Sequence, residues 1–347
     1  MASLDVLRVL SMYFVVVSHY IYHGIKARPE LQDYYDLGTP LGGGNFLTLN
    51  AIYILSCVAV NCFVMISGFF LIEKSTWRWK GILNTWIETF FYSNIFLLAS
   101  FLIGRQVFFS DVAHSLFPIW GRQYWFMTYY IGLMLLAPLI SKAVCNLNVQ
   151  QYRSILLVLF VMNFQYAYGR QYGGFSSLMW FSFLFLSGGY IRLFGCPKWI
   201  KIHKGVIFFL IWSLLTIMAL VFNLMKGSQA KLVSTAYHGP VYFLSLSLFI
   251  YFAMTPLKGK MVDVICRIAP YTLAVYLIHA NSFWRGGIWK TVIPDSFNAP
   301  IILYCLSTSI LIFLVCVLID VVRSWLFIQL KIDILVERIK MKLPIIK

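Results

Sequence analysis

The chain is short of charge. Only 12% of its 347 residues are Asp, Glu, Lys or Arg, against about 25% in soluble domains. Hydrophobic residues make up 61%, and mean hydropathy is +0.80. That balance excludes a soluble protein and leaves a polytopic membrane protein. No polar block is long enough for a separate soluble domain, and no repeat or low-complexity tract stands out. The seven cysteines (Cys57, Cys62, Cys145, Cys196, Cys266, Cys305 and Cys316) form no CxxC pair and no metal-like cluster. Neither a disulfide framework nor a metal site is expected, and most of them read as small hydrophobes. The first apolar run contains an arginine and a histidine and lacks a small-residue cleavage site, so it reads as a span rather than a cleaved signal.

Apolar runs are what the chain has in quantity. A span needs about 20 mostly apolar residues. About ten runs qualify: 4–24, 48–72, 83–103, 124–143, 153–169, 178–195, 206–225, 237–256, 265–286 and 299–323. They do not alternate as barrel strands do, so helices are predicted and the fold class is all-α. Net charge is +16, but the lysines and arginines fall in short loops between spans, which is the topology signal rather than a nucleic-acid surface. On alternate sides, 19 of the 28 basic residues share the side of the N-terminus and 9 lie opposite. Both termini are therefore expected in the cytoplasm. The expected division is a membrane domain over 1–323 and an amphipathic, basic tail over 324–347 on the inner leaflet. The acidic segment 25–47, ending in Gly42-Gly43-Gly44, reads as an outer connection, a linker or a lid.

Ionisable residues inside apolar runs are costly and point to function. Arg8 and His19 are eleven residues apart in the first run. That is about three helical turns, which puts both side chains on one face roughly 16 Å apart along the axis. Asp5 is placed to pair with Arg8. His279 closes Tyr276-Leu277-Ile278-His279 in the ninth run and, by the assigned orientation, lies at a depth matching His19. Histidine can relay a proton or attack an acyl carbon near neutral pH. His23, one turn beyond His19, reads as interfacial. Ser67-Gly68 reads as a close-packing pair. Glu88 either pairs with a basic residue or lines an inner vestibule. The stretch Glu73-Lys74-Ser75-Thr76-Trp77-Arg78-Trp79-Lys80 reads as an interfacial belt whose Lys74, Arg78 and Lys80 can also contact nucleotide phosphates.

Four pieces resemble the membrane acyltransferase-3 family. Arg8-x10-His19 resembles its R-x10-H signature. Phe63-Val64-Met65-Ile66-Ser67-Gly68-Phe69-Phe70-Leu71 is similar to its FF-x-I-SG-F-L-L element. Gln123-Tyr124-Trp125-Phe126-Met127 with Leu135-Leu136-Ala137-Pro138-Leu139 resembles its YWF…LLSP span, and Tyr276-Leu277-Ile278-His279 its YLIH element. The resemblance implies a ten-helix acyltransferase of the bacterial inner membrane. It would take acetyl from cytosolic acetyl-CoA and place it on a hydroxyl of an envelope polysaccharide or its lipid-linked precursor. His19 would be general base or transient acetyl carrier, and Arg8 would orient the donor on the inner side. The first inner loop lacks the family's paired-arginine motif and offers Lys74, Arg78 and Lys80 instead. A proton-coupled transporter or flippase of a lipid-linked glycan or small solute would use intramembrane His and Arg equally well, although no paired Gly/Pro-interrupted spans are present.

Overall fold

A computed structural model describes residues 1–36, 38–121, 123–169, 174–196 and 240–342, with parts of 207–221. The described residues are helical and contain no strand. The expected seventh span, 206–225, is described only in part. Among the described residues, five helical stretches are long and apolar enough to cross a membrane: Ala2–Ile25, Gly42–Leu71, Trp125–Val144, Lys260–His279 and Ile301–Gln329. Leu178–Phe194 and Val241–Met254 are shorter apolar helices. The protein is thus an all-α polytopic membrane protein.

The first helix, α1 (Ala2–His19), is the axis of the fold. It packs against α2 (Gly42–Ser56), α3 (Val58–Leu71), α9 (Pro240–Met254), α10 (Lys260–Ile268), α11 (Thr272–His279) and α13 (Ile301–Gln329). Its foot is pinned by Ser3, whose hydroxyl donates to the Thr255 carbonyl and accepts the Leu257 N–H. Its upper end passes directly into a π-helical segment, Tyr20–Ile25, in which the Lys26 N–H donates to the Ile21 carbonyl five residues back.

The second apolar run is two helices. A one-residue break at Cys57 separates α2 from α3. The Ser67-Gly68 pair acts as expected. A Cβ on Gly68 would lie 1.9 Å from the Phe185 carbonyl oxygen, and one on Gly188 would lie 2.0 Å from that of Met65. The backbones of α3 and α8 (Gly174–Phe194) therefore touch in two places where only glycine fits. In lipid, where the apolar surroundings match the side chains, such close packing is a main source of helix association.

Helices α4 (Trp79–Leu102), α5 (Phe109–Leu116), α6 (Trp125–Val144) and α7 (Val149–Gly169) surround this centre. Proline 138 lies inside α6, where its missing N–H opens the ladder. One turn earlier the Trp77 indole donates to the Leu135 carbonyl at 2.9 Å.

Two boundaries differ from the sequence reading. The ninth run does not continue to 286. It consists of α10, a 3-10 turn at Ala269–Tyr271 and α11, and stops at His279; a turn leads into α12 (Arg285–Val292). The last run continues past 323, because α13 ends at Gln329. Cys305, Ser309, Ile312, Cys316 and Asp320 recur every three or four residues along its buried face, while Leu311, Leu314, Leu318 and Val322 stay exposed for lipid. Lys331, at φ 53, turns the chain into α14 (Ile332–Lys342).

The acidic segment after α1 is a folded strap rather than an open connection. Arg28 is 8% exposed, donates to the Ile293 carbonyl at 2.9 Å and pairs with Asp295. Leu31 is fully buried in the 3-10 turn Pro29–Tyr34, and the Tyr35 hydroxyl donates to Asn50 Oδ1 at 2.9 Å. Burial raises the pKa of Tyr35, so this hydroxyl keeps its proton.

Candidate active site

A cavity of about 520 Å³ opens where α1, α2, α3, α6, α8, α11 and α12 meet. His19 stands in its wall. His19 Nδ1 lies 2.9 Å from His279 Nε2, so the two histidines from opposite ends of the sequence form one unit. His279 is fully buried behind His19, and its Nδ1 bonds the Val275 carbonyl one turn back on α11. The Trp289 ring meets His279 edge-on at 6.2 Å between centroids, and Tyr20 in turn meets Trp289 edge-on. These large buried rings hold the imidazole from behind.

The tautomers follow from the partners. A carbonyl oxygen has no proton to give, so His279 Nδ1 carries the hydrogen donated to Val275. A neutral His279 then offers Nε2 as an acceptor, and His19 Nδ1 donates to it. The lone pair of the His19 ring is left on Nε2. Such an imidazole, oriented through its other nitrogen, can accept a proton from a hydroxyl or attack a carbonyl carbon.

The wall at the end of α11 is fixed by neutral hydrogen bonds. The fully buried Asn281 amide donates to the Tyr124 hydroxyl at 2.7 Å, which donates to the Leu277 carbonyl at 3.0 Å. The Phe283 N–H returns to Asn281 Oδ1 at 3.0 Å. This closes the turn after His279 and sets Arg285, at the start of α12, in the cavity lining. On α3, the Asn61 amide donates to the Ser245 hydroxyl at 3.0 Å and its oxygen accepts from the Trp180 indole at 3.2 Å. Tyr22, Tyr53, Trp125, Phe126, Phe181 and Tyr276 supply aromatic surface.

The residues singled out from sequence divide into two groups. His19 and His279 meet. His23, read as interfacial, also lines the cavity, with its ring centroid 5.1 Å from that of His19. Arg8 is outside the lining, toward the opposite end of α1, and bonds Asp5 at 2.9 Å. Lys74 and Arg78 are exposed on the α3–α4 connection and Lys80 at the start of α4, all outside the cavity lining, and Lys80 pairs with Glu337 of α14 at 3.4 Å. Glu88 is half-buried 3.7 Å from Arg323, which also grips the buried Asp320; the Tyr92 hydroxyl donates to the same carboxylate at 2.7 Å. Among the described residues, no group of His, Cys, Asp and Glu is placed to hold a metal.

From sequence, Gln123 enters only as part of a family element, and Asn61, Asn281 and Arg285 carry no functional reading. Each polar residue sits within or beside an apolar run, which is the signal that had marked His19 and His279. Arg285 was read only as a topology charge.

No curated protein and no solved structure matches the chain. A family sequence model described as an acyltransferase domain matches residues 1–321, nearly the whole helical assembly that builds this cavity, and on that match the chain belongs to the acyltransferase-3 family.

Proposed function

We propose that this acyltransferase takes acetyl from cytosolic acetyl-CoA and places it on a hydroxyl of an envelope polysaccharide or its lipid-linked precursor, at the bacterial inner membrane with both termini in the cytoplasm. The observation that carries the reading is the His19–His279 pair, with the unprotonated His19 Nε2 left to an aromatic-lined cavity. In this reading, His19 Nε2 accepts the proton of the acceptor hydroxyl as its oxygen attacks the thioester carbonyl. The C–S bond then breaks, and the imidazolium returns the proton to the departing thiolate of coenzyme A. His279 positions the ring and shares the charge that develops on it. General-base assistance of this kind contributes roughly 10²–10⁴-fold.

Arg8 is assigned to the donor side. It stands three turns from His19 on the same helix, and its pairing with Asp5 fixes the guanidinium while leaving donors to spare. Lys74 and Arg78 are exposed for the coenzyme phosphates; Lys80 would have to leave Glu337 to join them. The Tyr, Trp and Phe rings of the cavity suit the apolar faces of a sugar.

The test is transfer of radiolabelled acetyl from acetyl-CoA in membranes, comparing wild type with His19→Ala and Arg8→Ala. Label in a glycan or lipid fraction with wild type alone supports the reading. Absence of label from wild type, with glycan flipping or solute uptake that depends on His19, overturns it in favour of transport.

A further inference from the structure

We propose that the glycan acceptor is anionic, and that Arg285 binds its carboxylate or phosphate group beside the hydroxyl that is acylated. The inference rests on the acetyl-transfer reading for the word acceptor, and on the cavity alone for the anion.

Among the described residues, the cavity lining contains no aspartate and no glutamate, and Arg285 is its one Lys or Arg. The other arginines set into the helical assembly have carboxylates. Arg8 has Asp5, Arg28 has Asp295 and Glu30, and Arg323 has Asp320 and Glu88. Arg285 has no carboxylate within ion-pair range among the described residues. Arg285 is half-buried in this lining, and a guanidinium partly withdrawn from water is stabilised when an anion enters.

A guanidinium offers five donors and suits carboxylate and phosphate alike. Tyr22, Tyr53, Trp125 and Trp180 in the same lining fit a sugar ring rather than a bare inorganic ion.

The experiment uses the full chain in nanodiscs and follows tryptophan fluorescence, since Trp125 and Trp180 face the cavity. The probes are methyl glucuronide, methyl glucoside 6-phosphate, neutral methyl glucoside and coenzyme A. Wild type is expected to bind at least one anionic glycoside about tenfold or more tightly than the neutral one, the range of a hydrogen bond to a charged group. Which anion wins tells a uronic-type carboxylate from a phosphate. Arg285→Gln should erase the preference and keep the neutral affinity, and Arg285→Lys should retain part of it. If Arg285→Gln does not fold, the wild-type preference and its weakening at high salt decide the matter.

Equal binding of neutral and anionic glycosides by wild type overturns the proposal. So does a preference that survives Arg285→Gln, or a variant that loses coenzyme A while glycoside binding stays unchanged. A wild type that prefers anionic glycosides yet transfers no acetyl keeps the anion site and overturns the acetyl-transfer reading instead.

Discussion

Replacing His279 separates a residue that orients His19 from one that reacts. His279 is fully buried and meets His19 only through Nε2. Its Nδ1 is occupied by Val275, and it is absent from the cavity lining. In His279→Leu, His19 Nδ1–H loses its acceptor, an unpaired buried donor worth about 1–3 kcal/mol. The Nε2 lone pair is then no longer enforced. Where a triad carboxylate that fixes a histidine tautomer is replaced, the loss is about 10⁴-fold, so a fall of roughly 10²–10⁴ in kcat is expected here. His279→Gln places an amide oxygen near the former Nε2 and can still accept from His19 Nδ1, so it should stay within about tenfold of wild type. The double variant His19→Ala with His279→Leu should be no worse than His19→Ala alone, because a positioning residue has nothing left to position. The assay is initial-rate acetyl transfer in membranes at matched protein levels. A glutamine variant as inactive as the leucine variant, with the melting temperature unchanged in both, would show that His279 itself handles protons or acyl groups. A fully active leucine variant would remove His279 from the site altogether.

Three further outcomes are expected. Gly188→Ala should lower the melting temperature in detergent sharply, because its Cβ would meet the Met65 carbonyl oxygen at 2.0 Å; overpacking costs typically about 1–3 kcal/mol, and a backbone partner cannot swing aside. Gly81, which has open space around its Cβ, should tolerate alanine in the same melt. Arg323→Met should destabilise by about 3–5 kcal/mol by stranding the buried Asp320, and adding Asp320→Asn should recover part of the loss in a thermal-melt double-mutant cycle. Asp5→Asn should change stability by less than about 1 kcal/mol, since both partners are roughly a third exposed; a large fall in acetyl transfer at unchanged melting temperature would then report the placement of Arg8.

Much of the architecture was legible in the sequence because burial in lipid leaves few choices. Apolar runs of this length must be helical, and ionisable residues within them must face protein. His19 and His279 were paired by depth alone, and the 2.9 Å contact between them is closer than depth could have specified. The placement of His23 was missed because helical spacing cannot distinguish a cavity mouth from a lipid interface. The end of the ninth run was hidden by its continuing apolar residues. What stops the helix is Asn281 bonding Tyr124, a contact across 157 positions that no local pattern carries. Likewise, the break at Cys57 has no proline or glycine to announce it. The strap after α1 looked like a linker because Arg28 was counted as a surface charge, and its partner Asp295 lies in a distant loop.

The π-helical segment Tyr20–Ile25 works as a register adjuster. A backbone bonded five residues back needs more than four residues to complete a turn, so residues four apart come nearly into line, as His19 and His23 do. The segment therefore lets the transmembrane part of α1 and the strap above it each keep their own rotational setting. The helix below can aim Arg8 and His19 by the needs of the bundle, while the chain above arrives where Arg28 reaches Asp295. Losing one residue from this stretch would return it to ordinary helix and turn everything on one side by about 100°. The two halves could not both stay docked, so length, more than identity, is what this short stretch has to preserve.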